Sequence, residues 1–148
     1  MPRVLFVCTS DRTRGPLAVA LFTHYAKAAG LEECDCDSAG LHAVHGQHIA
    51  DEVTRVLEEK GIVPLRLGVQ LLTPKLVKAS ELILCMTSNI EKELTTKFVS
   101  ARNKTKTLMS ILREDTDVFD PNHLSMEKYR SCVAMMEPAI QELVERLQ

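Results

Sequence analysis

Tryptophan is absent from the 148 residues, and aromatic side chains make up only 4% of them. A surface that stacks nucleobases is therefore not expected. Neither sign of charge dominates. The 18 Lys and Arg against 20 Asp and Glu leave a formal net charge of -2, so no basic field favours nucleic acid. No apolar run approaches bilayer length, and the N-terminus lacks a signal-peptide pattern. A cytoplasmic protein without a membrane partner is expected. Repeats, low-complexity stretches and linkers rich in Gly, Ser or Pro are also missing, and the length suits a single domain, 1–148, with a sizeable core. Five cysteines in such a chain do not suggest a disulfide framework. Cys34 and Cys36 form a Cys-x-Cys pair in an apparent strand, but no second pair matches zinc spacing. Cys85 and Cys132 read as small buried apolar residues.

What is present is an alternation of strand and helix patterns. Val4–Val7 is a short, continuously apolar run, as in a strand buried on both faces. A helix follows over Pro16–Ala29, with Pro16 in its first turn and Gly30 as its stop. Glu33–Asp37 reads as a weaker strand, and Ile49–Lys60 as a helix ended by Gly61. Thr73–Ala79 reads as a short helix capped by Thr73. Leu82–Met86 is a second inner strand. Thr87 or Ser88 caps a helix over Asn89–Phe98, Thr105–Met109 is a fourth strand, and Leu124–Leu147 is a long helix that Pro138 could bend or restart. Strands alternating with helices argue for an α/β three-layer sandwich, a four-stranded parallel sheet with helices on both faces. Ligands in such folds bind at the carboxyl ends of the strands, where the topology switches.

Cys8 stands at one such end. The stretch Cys8-Thr9-Ser10-Asp11-Arg12-Thr13-Arg14 joins the first strand to the first helix. Successive N–H groups of a curled loop make an anion nest, and a helix N-terminus adds partial positive charge. Thr9 to Arg14 are thus candidate phosphate-binding residues. Those donors would stabilise a Cys8 thiolate, and the planar fork of Arg14 can clamp two phosphate oxygens. In-line attack of the sulfur on phosphorus would give a phosphocysteine, which water then hydrolyses. A Cys-x5-Arg spacing is common by itself, and its context after a strand and before a helix makes it specific. The competing structural reading is a plain strand-to-helix turn with a buried Cys8 and a solvated Arg14.

The segment Val4–Phe22 resembles the opening of low-molecular-weight protein tyrosine phosphatases and of their arsenate reductase relatives. Further stretches agree in order along nearly the whole chain: Asp37-Ser38-Ala39-Gly40, then Ala79 to Thr87, then Val118-Phe119-Asp120-Pro121 followed by Tyr129. The resemblance implies a metal-free, cofactor-free phosphomonoesterase with Cys8 as nucleophile and Arg14 as phosphate clamp. Asp120 would be general acid and then base, and Ser38 would brace the loop through Asp11. Asp115 and Asp117 are nearby, but neither precedes a proline. The expected partner is a phosphorylated protein or small phosphoester, with inorganic phosphate or a related oxyanion as product or ligand. Arsenate reduction would need a further cysteine pair after the third strand. Here Cys85 falls inside that strand, and the next cysteine is Cys132.

The departures from the family pattern cluster at the chemistry. Ser10 replaces the loop glycine, Asp11 the loop asparagine, Thr13 the second cysteine, and Gly15 the hydroxyl residue after the arginine. A carboxylate at Asp11 would oppose a phosphate dianion unless paired, and adjacent Arg12 could neutralise it. Losing the hydroxyl at Gly15 should raise the Cys8 pKa. A retained skeleton with altered loop chemistry leaves two outcomes, an enzyme tuned to an unusual substrate or a weakened, phosphate-binding pseudo-phosphatase. Asn122 and His123 follow Pro121 where relatives often carry aromatic residues. His42, His45 and His48 invite a zinc reading, against which stand solvated loop histidines beside a substrate cleft.

Overall fold

Val4, Leu5, Phe6 and Val7 are each wholly buried. Successive strand residues face opposite sides of a sheet, so both sides of this strand must be covered. The computed structural model describes residues 3–31 and 33–148, and it supplies that cover. In chain order the elements are β1 (Arg3–Cys8), α1 (Arg14–Ala28), β2 (Asp35–Gly40), α2 (Asp51–Glu58), α3 (Pro74–Ala79), β3 (Leu82–Cys85), α4 (Ser88–Lys97), β4 (Thr105–Thr107) and α5 (Met126–Arg146). Short 3₁₀ turns occupy Val99–Lys104 and Met109–Leu112. The sheet order is β2-β1-β3-β4, and every pairing is parallel. Helices α1, α2 and α5 pack together, with α1 against β1 and β2, while α4 packs on β3 and β4. Among the described residues no helix is long and apolar enough to cross a membrane.

The chain leaves β1 toward β2 on one side and later returns to β3 on the other. The carboxyl end of β1 is therefore the switch point of the sheet, where no crossover helix blocks the crevice. Cys8 is the last residue of that strand.

Several boundaries differ from the sequence reading, each for a local reason. α1 begins at Arg14, not Pro16. Pro16 still lies in the first turn, where a missing N–H costs nothing. β2 runs to Gly40, because its register pairs Arg3 with Asp35 through to Cys8 with Gly40. Ile49 and Ala50 stay outside α2. Their N–H groups bond the carbonyls of Leu67 (2.8 Å) and Arg12 (2.9 Å) instead. β4 stops at Thr107, and the expected strand residues Leu108 and Met109 turn away from it. α5 continues through Pro138 as one helix. Thr73 and Thr87 are N-caps, their hydroxyls accepting from the N–H of Leu76 and Ile90.

β2 is an edge strand, and its carboxyl end is covered by residues 65–72. Gly40 pairs with Leu71, and His48 with Gly68. The Gly40 N–H donates to the Gln70 carbonyl and the Leu72 N–H to the Gly40 carbonyl, both at 2.9 Å.

Candidate active site

Between Cys8 and Arg14 the chain curls over the end of β1. Its carbonyls are tied outward. Those of Cys8, Thr9 and Arg12 accept from the N–H groups of Leu41 (3.0 Å), His42 (2.7 Å) and Ala50 (2.9 Å). Carbonyls held outward leave a loop's N–H groups free to face an anion. The N–H groups of Asp11 and Gly15 reach the Cys8 sulfur. Asp11 takes φ 58°, in the left-handed region that reverses the loop. The loop rests on Gly40, where a Cβ would stand 2.6 Å from the Thr9 carbonyl oxygen and 2.8 Å from the Asp11 nitrogen. Only a residue without a side chain permits that approach. At Gly15 a Cβ would stand 2.9 Å from Asp11 Oδ1 and 3.3 Å from Cys8 Sγ.

Cys8 is 1% exposed. Burial pushes its thiol pKa up to about 11, and the Asp11 charge adds to the rise. Arg14 and the Gly15 and Asp11 N–H groups pull the other way. Burial, not the residue at position 15, is the main cause of this rise.

Arg14 is buried, contrary to the solvated alternative. Its Nη1 donates to the Val118 carbonyl at 3.0 Å and its Nη2 to Thr9 Oγ1 at 3.5 Å. Nη2 also stands 3.7 Å from Asp120 Oδ2. Its Nε is buried and has no hydrogen-bond partner among the described residues. A buried donor left unpaired is costly, and an oxyanion in the nest would satisfy it.

Asp120 reaches the same point from the segment before α5. Its Oδ1 accepts from Thr13 Oγ1 at 2.9 Å and from the Asn122 N–H at 3.0 Å. The fold thus brings Cys8, Arg14, Thr13 and Asp120 together. Asp117 is occupied elsewhere, accepting from the Ser88 N–H at the start of α4, and Asp115 is exposed. Thr9 is exposed and Ser10 half-buried.

Arg12 does not neutralise Asp11 as the sequence suggests. Its Nε donates to the His48 carbonyl (3.0 Å) and its Nη1 to Asn122 Oδ1 (3.2 Å), so it spans from the loop before α2 to the Asp120 segment. The cation on Asp11 is Arg66, whose Nη2 stands 3.1 Å from Asp11 Oδ2. The Gln70 N–H donates to the same oxygen at 2.9 Å. Burial pushes the Asp11 carboxyl above the usual carboxylate range, and the Ser38 hydroxyl, Arg66 and Gln70 partly offset it. Ser38 itself is buried on β2 beside this cluster. Arg66 and Gln70 lie in an irregular segment without periodicity, and no sequence signal marks them.

His42 pairs with Glu93 at 2.6 Å on the surface. Among the described residues, no group of three His, Cys, Asp or Glu side chains is placed to hold a metal. Cys85 and Cys132 are buried. Burial raises both thiols, Cys132 to about 12.

The model of the low molecular weight phosphotyrosine protein phosphatase family matches residues 3–148. A protein-arginine-phosphatase of Geobacillus stearothermophilus is 34% identical over 147 residues, covering 99% of this chain and 96% of the relative. The low molecular weight protein-tyrosine-phosphatase PtpB of Staphylococcus aureus is 30% identical over 127 residues, 86% of each. The crystal structure of a YwlE mutant from Bacillus subtilis superposes with a TM-score of 0.94 at 28% identity, covering 99% of both chains.

Proposed function

This chain belongs to the low molecular weight phosphotyrosine protein phosphatase family, and on that footing we propose that it hydrolyses a phosphorylated protein side chain through Cys8. The Cys8 thiolate attacks phosphorus in line with the leaving oxygen. As that P–O bond breaks, Asp120 gives the oxygen its proton. Asp120 then takes a proton from water, the water oxygen bonds phosphorus, and the S–P bond breaks to return thiolate and phosphate. Thr13, Arg14 and the inward N–H groups of residues 9–14 hold the charge that develops on the phosphoryl oxygens or orient the acid. Ser38 supports the loop from β2.

The observation that carries this reading is the buried, unpartnered Nε of Arg14, on a guanidinium 3.7 Å from Asp120 in the same loop as Cys8. A simple structural turn leaves no reason to bury that donor.

Within this class we favour an aryl phosphate such as phosphotyrosine. Arg12, beside the Asp120 segment, offers its guanidinium to an aromatic ring and repels the guanidinium of phosphoarginine. The relative named a protein-arginine-phosphatase favours phosphoarginine as the second reading. Hydrolysis of peptides carrying either group, compared by kcat/KM, separates the two. Preference for the phosphoarginine peptide overturns the first. Cys8→Ser abolishes turnover of both while inorganic phosphate still binds. Unchanged turnover defeats the cysteine mechanism, and wild-type phosphate binding without turnover marks a phosphate-binding module instead.

A further inference from the structure

The curled loop contains a carboxylate where an incoming phosphate would meet repulsion. Asp11 is completely buried and sits in the left-handed region, which non-glycine residues enter at a cost. What holds it comes from outside the loop. Both groups on its Oδ2, the Gln70 N–H and Arg66 Nη2, belong to the segment that covers the edge of β2. Arg66 Nη2 also donates to Asp37 Oδ1 (3.1 Å) and to the Ser38 carbonyl (2.6 Å), and its Nη1 to the Gly68 carbonyl.

Two of the other acceptors in this cluster, Asp37 and the Ser38 carbonyl, have second partners. Gln70 Nε2 donates to Asp37 Oδ2 and to the Ser38 carbonyl, both at 3.0 Å. Arg3 Nη2 stands 3.9 Å from Asp37. Among the described residues only Arg66 is ion-paired with Asp11. The charge that depends on Arg66 is therefore that of the loop carboxylate, whose Oδ2 would keep only the neutral Gln70 N–H without it.

We propose that Arg66 is a positioning residue whose guanidinium cancels the Asp11 charge and anchors the loop's left-handed bend, so that the loop accepts a phosphate dianion. This rests on the assignment of residues 8–14 as the phosphate site. Removing Arg66 leaves a buried charge beside the anion, and the loop must either uncurl to hydrate it or protonate it. The charged and titratable groups that bear on Asp11 are Cys8 within the loop and Arg66 from the edge segment, with Asp37 on β2 and Arg3 on β1 behind Arg66.

The test is a double-mutant cycle read by calorimetric titration with inorganic phosphate and by aryl phosphate hydrolysis across pH. In the wild-type background, Arg66→Met weakens phosphate binding about ten- to a hundredfold. The weakening grows as pH rises and Asp11 ionises. In the Asp11→Asn background the same substitution changes binding by less than about threefold. Equal losses in both backgrounds, or none in either, overturn the proposal. Should Arg66→Met not fold, Asp11→Asn/Arg66→Met must fold and bind phosphate; a double variant that does neither overturns it as well. Phosphate binding keeps this cycle readable even if the wild-type protein proves unable to hydrolyse any phosphoester, which would sink the proposed activity alone.

Discussion

At Cys8 two demands oppose each other. Shielding from water keeps bulk solvent from competing for the nest, yet it also disfavours the thiolate that the proposed mechanism requires. A thiol raised to about 11 is overwhelmingly protonated at neutral pH, so its reactivity should climb with pH. Alkylation of Cys8 by iodoacetamide is expected to reach half its limiting rate near pH 11 in the phosphate-free protein. Asp11→Asn removes the like charge and moves that midpoint downward. A midpoint that stays put would show that Asp11 exerts no field on the sulfur. That Cys8 and Arg14 close one strand-to-helix loop could be read from the sequence, because their spacing is local and their flanks are a strand and a helix. Arg66 could not. A lone arginine in an irregular segment acquires meaning only when tertiary folding sets it against Asp11. The Val118 carbonyl that holds Arg14 is backbone, which no residue type reveals.

Among the elements, the junction of β1, β2 and the loop from Cys8 to Arg14 is closely packed at Gly40. Gly40 ends β2 directly under the loop, and its importance comes from contact rather than conformational freedom. A methyl there would press on the backbone of Thr9 and Asp11, atoms that cannot step aside as a side chain can. Gly40→Ala should cost about 1–3 kcal/mol of stability, the usual range for overpacking. Its aryl phosphate turnover should fall further than that loss of folded protein explains. Urea unfolding and a turnover assay on the same samples check both, and full turnover in the variant would show that the loop does not depend on its seat. The alternation of strands and helices was readable here because apolar runs and caps are local signals. The ends were less so. β2 reaches Gly40 because β1 supplies ladder partners that far, and Ile49 leaves the helix because a carbonyl of the edge segment claims its N–H.

For the molecule as a whole, stability is unevenly shared. The layers around β1 are buried on both sides, whereas residues 65–72 run along the surface with Leu65, Leu67 and Leu71 exposed. A surface segment of this kind is expected toward the low end of the range of local opening energies. Residues 65–72 do two jobs at once. By pairing with Gly40 they cover the carboxyl end of β2, part of an edge that could otherwise pair with a neighbouring chain. They also carry Arg66 and Gln70 to the loop. If the loop is the phosphate site we propose, peeling the segment back would disarm it and uncover the carboxyl end of β2 in a single event. In rising urea, turnover should vanish and light scattering increase before helical circular dichroism declines; coincident transitions would mean that the border and the interior melt together.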